Sequence, residues 1–508
     1  MRRGRVALVS LAAGVLVALS LPPLGLWELG IVGLGVLAWR LGGLRPGARV
    51  LAGLMFGVGL FGPTLIWVTA FSAVGYVIVV GLEAAFFALA SLAVPAGRGR
   101  SLVFPAVVTL ASAARSAWPF GGLPMGGIVL GQAGGPLLGA SRVGGPLLVT
   151  GLAALGGVCL AGLAPVALAG TGLAVGRGRP GGTQLGRAGS RCRPGAASIL
   201  IGLVVVLTVA LSATIAPDGG PAVAKLRVAL VQGGGMRGEP AIDVNPAIPY
   251  DAQLIATADI TEQVGLVLWP EDTIALYGPL AGSVQDQQLG ALAQALGSTV
   301  VAGVTEDVGK TQFLNQAVAW GPSGKVIGSY EKVHRVPFGE YVPLRSILKH
   351  IVNLSAVPRD AIPGHLPGFL RTPAGPLGVM ISYEVFFSNR ARVAVQAGGE
   401  LLVVPTNTSS YRSDQVPAQE EAADRMRAVE EGRDLVQASP TGYSTVVNSH
   451  GEVLDRSGLG VKAVIEATVA KRKGLTLYER GGDLPELLAA ALAVLAGWAV
   501  GIKAARPG

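Results

Sequence analysis

The sequence predicts a polytopic helical membrane protein with one α/β domain inserted between its last two membrane helices. Three observations carry this. The chain is 51% hydrophobic and only 14% charged over 508 residues, against about 25% charged in an ordinary soluble protein. Its apolar residues crowd into 1–215 and 486–502, dominated by Leu, Val, Ala and Gly, whereas 222–484 has normal charge density. Outside that segment the Arg and Lys residues form short clusters flanking apolar runs, where topology signals belong. The net charge of +9 is therefore assigned to membrane topology and not to nucleic-acid binding.

Apolar stretches of about 17–25 residues can span a bilayer as helices, and we place eight, at 6–21, 27–44, 50–70, 75–95, 101–117, 144–174, 198–215 and 486–502. The sixth is too long for one straight span, and Gly144, Gly145 and Pro165 are the positions where it can bend or start late. The first run follows Arg2, Arg3 and Arg5 as a secretory signal would. It ends, however, in LPPLGLWELG, without a small-residue cleavage site, and leads into another apolar run, so it is read as a retained helix.

Orientation follows from the loops, because Lys and Arg concentrate on the cytoplasmic side. Arg40, Arg45 and Arg49 follow the second span, Arg98 and Arg100 the fourth, Arg177, Arg179, Arg187, Arg191 and Arg193 the sixth, and Lys503 and Arg506 the eighth. The connections at 22–27 and 71–76 carry no Lys or Arg, and Trp27 and Trp67 suit an outer aromatic belt. Both termini are expected in the cytoplasm and 222–484 outside it. A transporter reading is poor, since Glu83 is nearly alone as an ionisable residue inside the spans.

Within 222–484, short β-branched runs at 226–232, 265–269, 299–304, 316–321, 326–330, 377–382, 401–405 and 443–448 are predicted strands. Helices are predicted near 249–263, 284–296, 388–397 and 417–432. This alternation argues for one layered α/β domain. The only cysteines are Cys159, in an apolar run, and Cys192, in a basic loop, so the domain holds no thiol and no disulfide framework.

Three polar residues stand at or just after predicted strand ends: Glu271 after Trp269-Pro270, Lys332 after Tyr330, and Ser382 at the end of LGVMIS, with Glu384 two residues on. A carboxylate, an ammonium and a hydroxyl brought together would supply base, electrostatic stabiliser and nucleophile. Spacing alone does not distinguish them from the polar strand ends of any α/β domain. His334 reads as a packing residue, and with no Cys or second His nearby no metal site is expected.

The strings around these residues are more specific. LVLWPED, YEKVHRVPFGEYVP and GVMISYEVFF resemble, in order and spacing, the Glu, Lys and Cys blocks of the nitrilase superfamily. YEKVHRVPFGEYVP is close to the version in bacterial apolipoprotein N-acyltransferases, and GLMFGVGLFGPTLIWV, RSAWPFGGLPMG and LTLYERGGDLPE are similar to the membrane portion of that family. The resemblance implies a four-layer α-β-β-α nitrilase-like domain on the outer face of a bacterial plasma membrane. It implies acyl transfer from a membrane phospholipid to the free amine of a lipoprotein's N-terminal diacylglyceryl-cysteine, by way of an acylated nucleophile and with no cofactor. The expected assembly is a monomer. Carried over by match, Glu271 is the general base, Lys332 the oxyanion-stabilising cation, Glu340 and Glu384 supporting carboxylates, and Asn315 in FLNQAVAW an ordering residue.

The chain departs from the family at three places. Ser382 stands at the nucleophile position where the family has Cys, Thr406 to Ser413 replace a Trp-containing loop, and Ser112 stands where relatives often have Glu. A hydroxyl is a much weaker acid than a thiol of pKa about 8.5, and Glu271 would be a poor base for it. Arg115, near the outer surface, suits either lipid phosphate or snorkelling. Three functions stay open on the residues: acyl transfer with Ser382, a catalytically silent relative that binds phospholipid or lipoprotein, and a membrane-tethered amide hydrolase.

Overall fold

The computed structural model describes residues 2–170, 196–239, 243–350, 354–355 and 357–503. Arg177, Arg179, Arg187, Arg191, Cys192, Arg193 and Arg506 lie outside the described residues. The chain divides into two compact units, Met1–Ala216 with Gly481–Gly508, and Pro217–Arg480.

The first unit is helical: α1 (Arg2–Ser20), α2 (Trp27–Arg40), α3 (Pro46–Thr64), α4 (Ala73–Ala93), α5 (Arg100–Arg115), α6 (Ser141–Gly170), α7 (Ala196–Ile215) and the C-terminal helix Leu484–Lys503. Among the described residues, five helical stretches are long and apolar enough to cross a membrane: Arg3–Ser20, Pro46–Thr64, Ala73–Ala93, Leu138–Leu163 and Leu484–Lys503. With a further, shorter apolar helix at Leu200–Ile215, this makes the chain a helical membrane protein. α6 breaks at the expected place, where Gly144 and Gly145 leave helical geometry and Gly145 takes a φ of +64°.

Helices here approach closely because small residues meet at their crossings, as suits packing without a hydrophobic drive between helices. A Cβ on Gly35 of α2 would stand 2.6 Å from the carbonyl oxygen of Gly157 on α6. Arg115 corrects the lipid-facing expectation, being 2% exposed. It donates to Glu83 Oε2 at 2.5 Å and to the Met125 carbonyl at 2.6 Å, and lies over the Phe61 ring. A buried guanidinium must be paired, and α4 supplies the carboxylate.

The second unit is built from two sheets. In chain order it contains β1 (Ala224–Gln232), α8 (Ala247–Thr257), β2 (Leu266–Leu268), β3 (Ile274–Leu276), α9 (Val284–Leu296), β4 (Thr299–Val308), β5 (Gln312–Trp320), β6 (Val326–Glu331) and α10 (Arg345–Leu348). There follow β7 (Asp360–Ala361), β8 (Phe369–Thr372), β9 (Gly375–Val379), α11 (Ser388–Gln396), β10 (Leu401–Pro405), α12 (Gln415–Glu431), β11 (Leu435–Ala438), β12 (Thr445–Val447), β13 (Val453–Arg456) and β14 (Ala463–Lys471). One sheet runs β14-β1-β2-β4-β5-β6, with β3 beside β4 and β7 beside β5, and the other β13-β12-β11-β10-β9-β8.

Val228, Leu230, Leu268 and Val301 from the first sheet pack with Leu377, Val379, Val403 and Val436 from the second, forming the core between sheets. The opposite face of the first sheet, including Ala229, Val267 and Val300, packs on Tyr250 and Ala256 of α8 and on Leu289 and Ala293 of α9. α11 packs on β9, and α12 on β11 and β12. This is the four-layer α-β-β-α order.

Local rules explain the well-placed elements. α9 begins at Ser283, whose Oγ accepts from Asp286 N at 3.1 Å, and stops at Gly297, at φ +60°. Two predicted elements were too long. α8 ends at Thr257 because the amides of Thr261 and Glu262 donate to Glu466 Oε1 instead of continuing the helix. The strand expected to reach Ser382 ends at Val379, and Ser382 opens a single 3-10 turn at φ +48°.

Candidate active site

The site residues lie where strands of both sheets end, the edge at which α/β proteins collect ligands. β2 runs out through Trp269 and Pro270 into Glu271, which packs directly over Gly303 of β4. A Cβ on Gly303 would stand 2.3 Å from Glu271 Cα, so no larger residue fits beneath it. Lys332 follows β6 and is tied to β5 by its own amide, which donates to the Asn315 carbonyl at 2.9 Å.

These elements converge on one ammonium. Lys332 Nζ donates to Glu271 Oε1 and to Glu340 Oε1, each at 2.7 Å. Asn315 Nδ2 bridges the same two carboxylates at 2.8 and 2.9 Å. Glu340 is held by a second bond, from Val336 N to Oε2 at 2.7 Å. Lys332 is 2% exposed. Burial alone would strip its proton, but the two carboxylates reverse this and hold the ammonium well above its ordinary range. Burial raises Glu271 above the usual carboxylate range, and Lys332 pulls it back.

Glu384 lies elsewhere. Its Oε1 accepts from the amides of Val333 and His334 at 2.9 and 3.0 Å, and its Oε2 from the amide of Ile381 at 2.9 Å. Tyr330 OH donates to it at 2.9 Å, and Arg390 Nη2 donates to Tyr330 OH at 2.6 Å. It therefore clamps the segment after Lys332 to the segment before Ser382 instead of balancing the Lys332 charge. His334 stacks on Phe387 with ring centroids 4.2 Å apart, and burial and Arg390 lower its pKa to about 4, so it is a neutral packing residue at pH 7.

Ser382 is 7% exposed, and its Oγ donates to Glu420 Oε1 at 3.3 Å. Glu420, on α12, also accepts from Thr406 Oγ1, which lies 2.9 Å from Oε1 and 3.0 Å from Oε2. Glu271 and Lys332 both act electrostatically on Glu420, which joins the two clusters into one site. Sequence reasoning missed Glu420, Thr406, Tyr330 and Arg390. Nothing in QEEAADRMRAVEEGR sets Glu420 apart, because the charged residues of this helix include several that are buried.

The carbon-nitrogen hydrolase family profile matches residues 227–474, and the apolipoprotein N-acyltransferase N-terminal domain profile matches residues 13–159. The chain belongs to the apolipoprotein N-acyltransferase family. Curated family members bearing the name apolipoprotein N-acyltransferase include one from Mycolicibacterium smegmatis, 29% identical over 97% of this chain and 84% of its own. Another, from Pseudomonas putida, is 27% identical over 97% of this chain and 96% of its own. The Geobacter metallireducens member is 32% identical over 55% of this chain, and there the match spans about half of the relative, 56%. Among solved structures, a Saccharomyces cerevisiae member of branch 10 of the nitrilase superfamily is 22% identical, covering 49% of this chain and 91% of its own at a TM-score of 0.38. The two profile matches fall one on each of the two units described above, the helical one and the two-sheet one.

Proposed function

We propose that the protein transfers an acyl chain from membrane phospholipid to the N-terminal amine of a diacylglyceryl-cysteine on lipoproteins, with Ser382 as nucleophile. The observation that carries this is the buried Lys332 ammonium, held between Glu271 and Glu340 and acting electrostatically on Glu420, the hydrogen-bond partner of Ser382. A charged donor fixed at a strand end is what an oxyanion requires as an ester carbonyl is attacked. Glu271, Glu340 and Asn315 keep that donor charged and aimed. Glu384 sets the course of the chain on both sides of the site.

We place the two-sheet unit outside the cytoplasm, supported by the alternation of basic loops. A reporter enzyme that works only outside the cytoplasm should be active when fused after residue 220 or 480 and silent near Arg187; activity at Arg187 reverses the orientation. For the chemistry, full-length protein in detergent micelles is given phospholipid and a diacylated lipopeptide, and the N-acylated product is read by mass. Ser382→Ala should abolish transfer. Ser382→Cys should raise it by about 10²–10³, the effect of one catalytic element, since the thioester is the better acyl donor to an amine. A silent natural protein beside an active cysteine variant would identify a disabled acyltransferase, and inertness of both would end the acyl-transfer reading.

A further inference from the structure

The weakness of a serine at this position is that its hydroxyl needs a base. Glu271 is badly placed for the task, because its Oε1 already takes both Lys332 Nζ and Asn315 Nδ2. The Ser382 hydroxyl instead points at Glu420, with 3.3 Å between Oγ and Oε1. Catalytic hydrogen bonds in free enzymes are often this long and tighten in the reacting complex. Both groups are buried, and Thr406, on the strand end next to that of β9, holds the Glu420 carboxylate at 2.9 and 3.0 Å.

We propose that Glu420, held in place by Thr406, is the proton acceptor that activates Ser382. The proposal rests on the reading of Ser382 as nucleophile. As the Ser382 Oγ–H bond breaks, its proton passes to Glu420 Oε1 and Oγ bonds to the ester carbonyl carbon, whose oxygen takes up the negative charge near Lys332. Collapse of that adduct breaks the bond to the donor's alkoxide oxygen, which leaves with the proton from Glu420. In the return step the acceptor amine bonds to the acyl carbon, a proton from nitrogen passes to Glu420, and Ser382 Oγ leaves and recovers it. Atoms and protons balance over the cycle.

The surroundings suit this role. Glu420 is flanked by Asp424 one turn along α12, by half-buried Tyr411 from the loop after β10, and by Glu271 and Lys332 at the facing strand ends. Burial pushes Glu420 up to about 8; the Thr406 hydrogen bond opposes this, Glu271 adds to it, and Lys332 opposes it. A carboxylate of that basicity competes for a hydroxyl proton far better than an ordinary one.

The test isolates acylation of Ser382 from the choice of natural substrate. Full-length protein in detergent is mixed with a nitrophenyl ester of a fatty acid, a donor whose leaving group needs no proton. Burst release of nitrophenolate and the mass of the Ser382 peptide are followed with pH. The natural protein should acylate with a rate that rises through about pH 8. Glu420→Gln should cost about 10²–10⁴ in burst rate and remove the rise. Thr406→Val should move the rise to higher pH. In a Ser382→Cys background, where a thiol of pKa about 8.5 ionises without help, Glu420→Gln should cost about tenfold or less.

Equal burst rates for natural and Glu420→Gln proteins would overturn the proposal. So would an equal loss in the serine and cysteine backgrounds, which marks a structural role, or failure of the natural protein to label while Ser382→Cys labels. If Ser382 is labelled with the expected pH dependence but phospholipid and lipopeptide give no N-acylation, Glu420 keeps its role and the acyl-transfer reading falls instead.

Discussion

Two buried clusters, the Lys332 pocket and the Ser382 corner, treat the same side chain differently. In the pocket, Glu271 and Glu340 share one ammonium at 2.7 Å and one amide donor. In the corner, Glu420 bonds to the hydroxyls of Ser382 and Thr406, and Asp424 Oδ2 to the Thr445 hydroxyl at 3.1 Å. Hydroxyls stabilise a buried carboxylate less than a cation does, so Glu420 rises to about 8 and Asp424 is raised well above its ordinary range. With only hydroxyls in hydrogen-bonding reach, Glu420 becomes a proton carrier near neutral pH.

The largest effect is expected at Lys332. Lys332→Met leaves the buried Glu271 and the half-buried Glu340 without their cation. It should cost about 3–5 kcal/mol of stability and at least about 10³ in Ser382 acylation, read from denaturation in detergent and the nitrophenyl burst. Adding Glu340→Gln should return part of the stability and none of the activity.

The corner makes a pH prediction of known sign. Glu420 is raised in the folded protein, so its contribution to stability is full below the unfolded carboxylate pKa and is lost as pH rises through about 8. Between those limits it should lower stability by roughly 1.4 kcal/mol per pH unit at most. Denaturation midpoints measured across that range should fall for the natural protein and fall less steeply for Glu420→Gln. Equal slopes would show that Glu420 does not titrate in this range.

Asn315→Leu removes the amide that bridges Glu271 and Glu340 while leaving Lys332 in place. Hydrogen bonds to charged groups are worth about 1.5–3 kcal/mol, so stability should drop by that order and acylation by roughly ten- to a hundredfold. The smallest effect is expected at Tyr330→Phe. Glu384 keeps the amides of Ile381, Val333 and His334 there, and the loss should be about 1 kcal/mol with acylation changed only a few-fold. A large loss would place Glu384 in the charge balance of Lys332 after all.

The features that can be read along the chain are local in origin. Apolar run length and 3.6-residue or two-residue patterning mark the helices and most central strands, and Ser283 with Gly297 brackets α9 to the residue. Glu271, Lys332 and Ser382 could be proposed as site residues because each sits in a contiguous block. Edge strand β14 was not, since AVIEATVAK is mostly half-exposed, and its identity lies in antiparallel pairing with β1 across more than two hundred residues. The tertiary structure also decided which carboxylate serves which group. Glu384, two residues from Ser382, turns to the chain around Lys332, while Glu420, 38 residues away, meets the hydroxyl. Proximity in sequence is no guide here: a buried charge is defined by the partners that folding brings within about 3 Å of it, and those partners come from separate strands and a helix of the two packed sheets.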